Sequence, residues 1–409
     1  MNLLDNVHQS EKAIKSYTKK AEKELSASNF ILFKNFNEEL IRLGSAKTTR
    51  CKSLQHFVKL AGFNHNKDWK DVTKDDIKHI VSEIMKNHSS EMGKETNYSA
   101  DLKKSIRPIV RFAKTGSTEM PEDGELSILK VIKIKTPAEH LRREDLPTKE
   151  EIDKLLAVCS DSIRDKALIA VHADGATRIG ELLSLRLKNI TIDNLGGLIS
   201  VNGKTGIREI RIVSSVPYLI KWLNAHPDKD NPEAPLCIYN QQKKSFGKPM
   251  TYVGFNRMLS KKCQQAKISK RITTHLFRHA EATDKASKLT EAEMRMRYGW
   301  GKASNMPSRY THLNPADLDN KILRLNGMLP KEEEPEPALK QCNWCNLPQA
   351  SDAKLCENCG KPLDVKDAMN VEKENQEKQI ALMREIARQE HANFQKQEQI
   401  DKMQKISLN

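Results

Sequence analysis

Residues 197–213, GLISVNGKTGIREIRIV, alternate apolar and polar side chains on both sides of NGKTG. Alternation at period two puts one set of side chains on each face of a strand. A glycine-flanked break between two such runs specifies a tight antiparallel hairpin. The surrounding sequence reads at helical period instead, so the hairpin has to sit in a mostly helical domain. The expected fold class is mainly α with a small antiparallel β-sheet.

Five boundaries divide the 409 residues. Residues 1–115 read as an all-helical domain, in which Thr73 and Asp76 form a helix-starting capping box. Its last helix, near Asn97 to Lys114, contains Pro108, an expected kink or split, and carries Lys103, Lys104, Arg107 and Arg111. These four read either as a solvated face or as a set that lines a DNA backbone. Residues 116–147, punctuated by Pro121, Gly124, Pro137 and Pro147, read as a linker. A mixed α+β domain follows over 148–330, opened by a Thr148–Glu151 capping box. Residues 331–340 form a second, acidic linker, 341–363 carry four clustered cysteines, and 364–409 form a polar helix. The sparse apolar residues of that helix, Ile380, Met383, Ile386, Phe394, Ile400 and Met403, suit a solvated helix or a weak coiled coil.

Charge is unevenly spread. The chain has 69 Lys and Arg against 54 Asp and Glu, but from Lys331 onward the balance reverses to 12 against 15. The excess positive charge therefore lies in the first 330 residues, which points to a polyanion partner there. No apolar run reaches the roughly 20 residues of a membrane-spanning helix, and the N-terminal MNLLDNVHQSEK meets charge too early for a signal peptide. Cys51, Cys159, Cys237 and Cys263 are isolated, unlike a secreted disulfide scaffold. These features predict an intracellular protein with no membrane partner. Cys342, Cys345, Cys356 and Cys359 form C-x2-C, ten residues, C-x2-C, the spacing of a four-thiolate zinc ribbon. One structural Zn²⁺ is expected, since four thiolates leave no open position for catalysis.

Breaking a DNA phosphodiester without a metal needs a planar cationic clamp for the phosphate, a nucleophile, and a donor for the departing oxygen. The 148–330 domain offers a candidate for each: Arg178 in DGATRIGELLSLRL, Lys204 at the hairpin tip, His275 and Arg278 one helical turn apart in THLFRH, Trp300 in RYGWGK, and Tyr310 in SRYTHL. Each has an ordinary reading on its own: a surface charge, a solvated lysine, a half-buried tyrosine.

In this order and spacing the residues resemble the tyrosine recombinases, the phage and Xer-like integrases, over about Thr148 to Leu329. RIGELLSL, VNGKTG, HLFRH and YTHL carry the resemblance. The helical region before it is similar to that family's core-binding domain by arrangement only. The resemblance implies that Arg178 and Arg278 clamp the scissile phosphate, Lys204 protonates the leaving 5′-oxygen, and His275 acts as proton acceptor or hydrogen-bond partner. It implies that Tyr310 attacks to give a 3′-phosphotyrosine, with no ATP or metal in the chemistry, and that double-stranded DNA is the partner of a homo-tetramer on paired sites. A cytoplasmic, nucleoid-associated location follows. Two positions depart from the family pattern: Ala176 stands where a Gly is usual, with Gly175 one place earlier, and Trp300 stands where many members have His. Glu181 falls where the family often has a supporting acid, although a plain surface glutamate fits as well. Two other readings keep the fold and change the function: a catalytically silent DNA-binding regulator and a nicking-type topoisomerase.

Overall fold

A computed structural model describes residues 7–135, 142–193, 195–203, 205–240, 245–310, 315–330, 339–364, 373 and 377–389. The chain divides into two compact units. One comprises 1–147 with 182–184 and 235–260, and the other 148–181, 185–234 and 261–409. The first unit thus ends where the sequence places a domain boundary and also takes two short segments from beyond it.

The first unit is built on five helices, α1 (Ser10–Glu24), α2 (Ala27–Arg42), α3 (Lys47–Phe63), α4 (Lys74–His88) and α5 (Asn97–Thr115). Helix α4 starts at the predicted capping box, with the Thr73 amide donating to Asp76 Oδ2 at 2.8 Å. The core gathers Leu32, Phe33, Phe36, Leu54, Phe57, Trp69, Ile77, Ile80, Ile84, Leu102 and Ile106. Phe33 meets Phe57 edge to face at 5.5 Å. Each of these large side chains stabilises the unit by roughly 1.5–3 kcal/mol through burial. Buried Asn29 is fully used: its amide donates to the carbonyls of Asn66 and Lys67 at 3.1 Å each, and its oxygen accepts from the Trp69 amide.

Three expectations change here. Helix α5 runs through Pro108 unbroken; the carbonyl that proline leaves unbonded belongs to Lys104, an exposed position that water can serve. Lys104 is exposed, but the other three basic residues singled out on α5 are paired with acids rather than simply solvated. Lys103 is buried against Glu95 at 3.0 Å, and Arg107 and Arg111 both bind Glu125, at 3.2 and 2.9 Å. Finally, the stretch read as a linker over 116–147 is packed in its middle part. Leu129 and Ile132 are buried in the same core, and Leu126, Ile128 and Ile134 lie against it. Proline and glycine prevent a regular element there, but the apolar residues between them still have a core to fill. Residues 136–141 of that stretch lie outside the described residues.

The second unit contains α6 (Lys149–Ala157), α7 (Ile163–Gly175), β1 (Ile190–Asp193), β2 (Gly196–Gly203), β3 (Gly206–Ile212) and α9 (Val216–Ala225). A short helix, α8 (Ile179–Leu183), follows α7 after a three-residue break. The sheet is antiparallel in the order β1-β2-β3, with Gly203 opposite Gly206 at the hairpin tip. Ile199, Val201, Ile210 and Ile212 are buried along one face, as the alternation requires. Helix α10 (Tyr252–Gln265) is followed by α11 (Thr274–Lys285), α12 (Glu291–Tyr298) and α13 (Pro315–Leu325). The mainly helical fold class with small antiparallel sheets is as expected.

Strands β4 (Leu339–Gln341) and β5 (Pro348–Ala350) pair beside the clustered cysteines. The strand pair therefore begins within the expected acidic linker, of which 331–338 lie outside the described residues. This small module rests on α9, where Lys221 pairs with Glu357 at 2.8 Å. Of the predicted terminal helix, 377–389 are helical and exposed, and most of the rest lies outside the described residues.

Candidate active site

The break between α7 and α8 presents the first arginine. Ala176 ends α7 in the left-handed conformation, at φ 47°. A side chain there costs roughly 1–2 kcal/mol, which is why glycine is usual at such a position. Gly175 stays helical, so the turn is not shifted by one residue. The Ala176 carbonyl accepts a bond from Arg278 Nη1 at 3.0 Å, which links this turn to α11.

Arg178 is one-third exposed and aimed by two contacts. Its Nη1 donates to Glu181 Oε1 at 2.8 Å and its Nη2 to the Gly299 carbonyl at 3.1 Å. Glu181 is buried rather than on the surface. It also takes the Arg178 amide at 2.8 Å and a two-point contact from Arg208, at 2.9 and 2.8 Å. Burial opposes its charge, but the hydrogen bonds and charge of Arg208, with those of Arg178, outweigh that and pull its pKa down to about 2. Gly203 makes the arrangement possible, because a Cβ there would stand 2.3 Å from Glu181 Oε1. Arg208 was not singled out in the sequence. The available signal was its place in β3, on the inward face shared with Ile210 and Ile212.

Arg278 is buried beside two aromatic rings, 5.2 Å from the Tyr298 ring centre and 5.7 Å from that of Trp300. Its Nη2 donates to the Tyr298 carbonyl. Desolvation above all, then the charge of Arg178, pushes its pKa down to about 10, so it remains a cation at neutral pH. Trp300 lies parallel to Tyr310, with ring centres 5.5 Å apart and planes 4° apart. Trp300 therefore supplies an aromatic wall at this position. His275 is exposed at the start of α11 and meets the His279 ring edge to face at 4.3 Å. The Tyr310 hydroxyl bonds to His279 Nδ1. The structure thus brings Arg178, His275, Arg278, Trp300 and Tyr310 together; Lys204 lies outside the described residues. The tip beside it is fixed by Thr205 Oγ1, which donates to the Gly299 carbonyl at 3.2 Å.

Two histidines were missed. His172, fully buried, bridges Thr177 Oγ1 at 3.3 Å and the Thr274 carbonyl at 2.9 Å, so it ties the arginine turn to the start of α11. Burial pushes its pKa down to about 4 and keeps it neutral. His279 is one residue past Arg278 and four past His275, a spacing that shares a helix face; that was the signal available.

The four clustered sulfurs lie within 4.8 Å of one another, with Cys342–Cys359 and Cys345–Cys356 at 3.6 Å. A tetrahedron of about 2.3 Å zinc–sulfur bonds has edges just under about 4 Å, so this donor set fits a zinc ion.

Residues 147–317 match the phage integrase family. The chain is similar to a tyrosine recombinase XerD of Oceanobacillus iheyensis, 31% identical over 161 residues, which are 37% of this chain and 51% of the relative. A tyrosine recombinase XerC of Natranaerobius thermophilus is 26% identical over 224 residues, covering 53% of this chain and 70% of the relative. The chain spans about half the length of the first curated relatives it matches. Among solved structures, the Tn1549 transposon integrase in complex with transposon right end DNA superposes with a TM-score of 0.52 at 16% identity, covering 72% of this chain and 99% of the other. The fold is shared with that integrase, and the segment 147–317, which holds every candidate catalytic residue, matches the phage integrase family.

Proposed function

We propose that this protein is a site-specific DNA recombinase that cleaves and rejoins strands through a 3′-phosphotyrosine at Tyr310. The observation that carries the reading is the convergence of Tyr310 and Trp300 on Arg278, with Arg178 close enough to depress its pKa. Arg178 and Arg278 clamp the phosphate and stabilise the charge that grows on its oxygens. Lys204 protonates the leaving 5′-oxygen, and His275 and Trp300 complete the pocket around the phosphate and the nucleophile. Neither ATP nor a metal enters, because the phosphotyrosine conserves the bond energy for religation. The partner is double-stranded DNA, held in the 1–115 and 148–330 regions, and two paired sites assemble a homo-tetramer in the cytoplasm, on the nucleoid. Residues 341–363 form a ribbon around one structural zinc ion held by Cys342, Cys345, Cys356 and Cys359.

A nicked suicide substrate tests the chemistry. Wild-type protein is expected to give a covalent protein–DNA adduct, and Tyr310→Phe to give none while binding DNA within about threefold of wild type. An adduct in Tyr310→Phe would refute the nucleophile, and no adduct from wild type would favour a silent DNA-binding protein.

Zinc binding is tested separately. Metal analysis should find one zinc per chain, lost in Cys342→Ser and Cys356→Ser. Because metal binding and folding are coupled in so small a module, chelation should open 339–364 to protease while Tyr310 adduct formation survives. Unchanged metal content in both variants would rule the ribbon out.

A further inference from the structure

We propose that His279 is the base that holds the Tyr310 hydroxyl and takes its proton during attack. The inference rests on Tyr310 being the nucleophile. His279 lies on the buried side of α11, its ring centre 5.7 Å from that of Tyr310, and its Nδ1 bonds the hydroxyl oxygen itself. Trp300 fixes the plane of the tyrosine ring by parallel stacking. A phenol held at one face and at its oxygen keeps a single orientation, which is the condition for in-line attack.

The charged and titratable groups around His279 are His275 and Arg278 on its own helix, and Arg309 and Tyr310 from the segment packed against it. Burial chiefly, then the charges of His275, Arg278 and Arg309, pushes His279 down to about 4. It is therefore neutral near pH 7 and offers a lone pair at Nδ1 to the tyrosine O–H. A bound phosphodiester brings negative charge between the arginines, which offsets the cations that depress His279 and raises its basicity when substrate is present. In the cleavage step the Tyr310 oxygen forms its bond to phosphorus and its proton passes to His279 Nδ1. The bond from phosphorus to the 5′-oxygen breaks, and that oxygen takes a proton from Lys204. Religation returns both protons.

The test is single-turnover cleavage of the suicide substrate against pH. His279→Asn keeps a polar group but no base at neutral pH, and should be 10²–10⁴-fold slower at pH 7. Its rate should climb about tenfold per pH unit toward the ordinary tyrosine pKa of about 10. A 5′-bridging phosphorothiolate substrate, whose thiolate leaves without a proton, should rescue Lys204→Ala and not His279→Asn. His275→Gln, at an exposed position, should keep the acid-side fall of the wild-type profile.

His279→Asn within threefold of wild type at pH 7, rescue of it by the phosphorothiolate, or loss of the acid-side fall in His275→Gln would each overturn the assignment. Should His279→Asn fail to bind DNA, the His275→Gln profile decides alone. Tyr310→Phe separates the two readings: an adduct in that variant refutes the nucleophile itself, whereas a dead Tyr310→Phe beside an active His279→Asn refutes only the base.

Discussion

Arg278→Met should slow strand cleavage by about 10³–10⁵-fold, the range associated with removing an arginine that stabilises a transferring phosphoryl group, yet leave the fold nearly as stable as before. The second half of this expectation comes from the environment of Arg278. The guanidinium is buried, and the partners described for it are two carbonyls, of Ala176 and Tyr298, and two aromatic faces. Lowering its pKa from 12.5 to about 10 corresponds to a folding cost on the order of 3 kcal/mol at neutral pH. Removing the cation relieves that cost. It also strands two carbonyls, at about 1–3 kcal/mol each, while methionine restores much of the contact with the rings. The opposing amounts are similar, so the net change should fall within about 2 kcal/mol. Adduct formation and thermal unfolding, measured on the same preparation, check both halves. A variant that cleaves normally would remove Arg278 from the clamp, and one that unfolds would make the residue chiefly structural.

Glu181→Gln should have the opposite profile, a large loss of stability with activity falling as a consequence. Its carboxylate is buried and takes bonds from Arg178 and Arg208, and the Arg208 side chain is only 11% exposed. Neutralising one partner of a buried ion pair typically costs 3–5 kcal/mol, because the other charge is left uncompensated. Arg178 would lose its aim, and cleavage should drop by about 10²-fold, the lower end of the effect of losing one transition-state donor. The pH dependence follows from the depressed pKa. In the unfolded chain this carboxyl titrates at its ordinary value of 4.5 and in the folded chain at about 2. Its contribution is therefore fully present above about pH 4.5 and is lost as pH falls toward 2. Acid unfolding of wild type should be steeper over that window than that of Glu181→Gln. Equal slopes, or a variant as stable as wild type at pH 7, would mean that Glu181 does not hold the site together.

The candidate site was readable in the sequence where chemistry dictates residue type at a fixed spacing. Arg178, Lys204, His275, Arg278, Trp300 and Tyr310 could be named as candidates because a clamp, a nucleophile and a proton donor would each require a particular side chain, and short motifs kept them in order. The hairpin was readable from its period, and the capping boxes at Thr73 and Thr148 from three-residue spacings that the structure reproduces. The residues that hold the site were harder to see. Arg208 and His172 act through partners 27 and 102 positions away, and no local pattern encodes such a separation. The fate of Arg107 and Arg111 was misread for the same reason: Glu125 lies beyond a proline- and glycine-broken stretch that looks like open chain.

By itself the sequence determined the periods, the caps, the hairpin, the four-cysteine spacing and the identity of the chemical groups, because these follow from local backbone geometry and side-chain chemistry. Only the tertiary structure decided which charges are buried and paired, that Ala176 takes a left-handed turn without glycine, and that the hydroxyl of Tyr310 meets His279. Burial and long-range pairing arise when distant segments exclude water together, and that is a property of the packed chain rather than of any stretch within it.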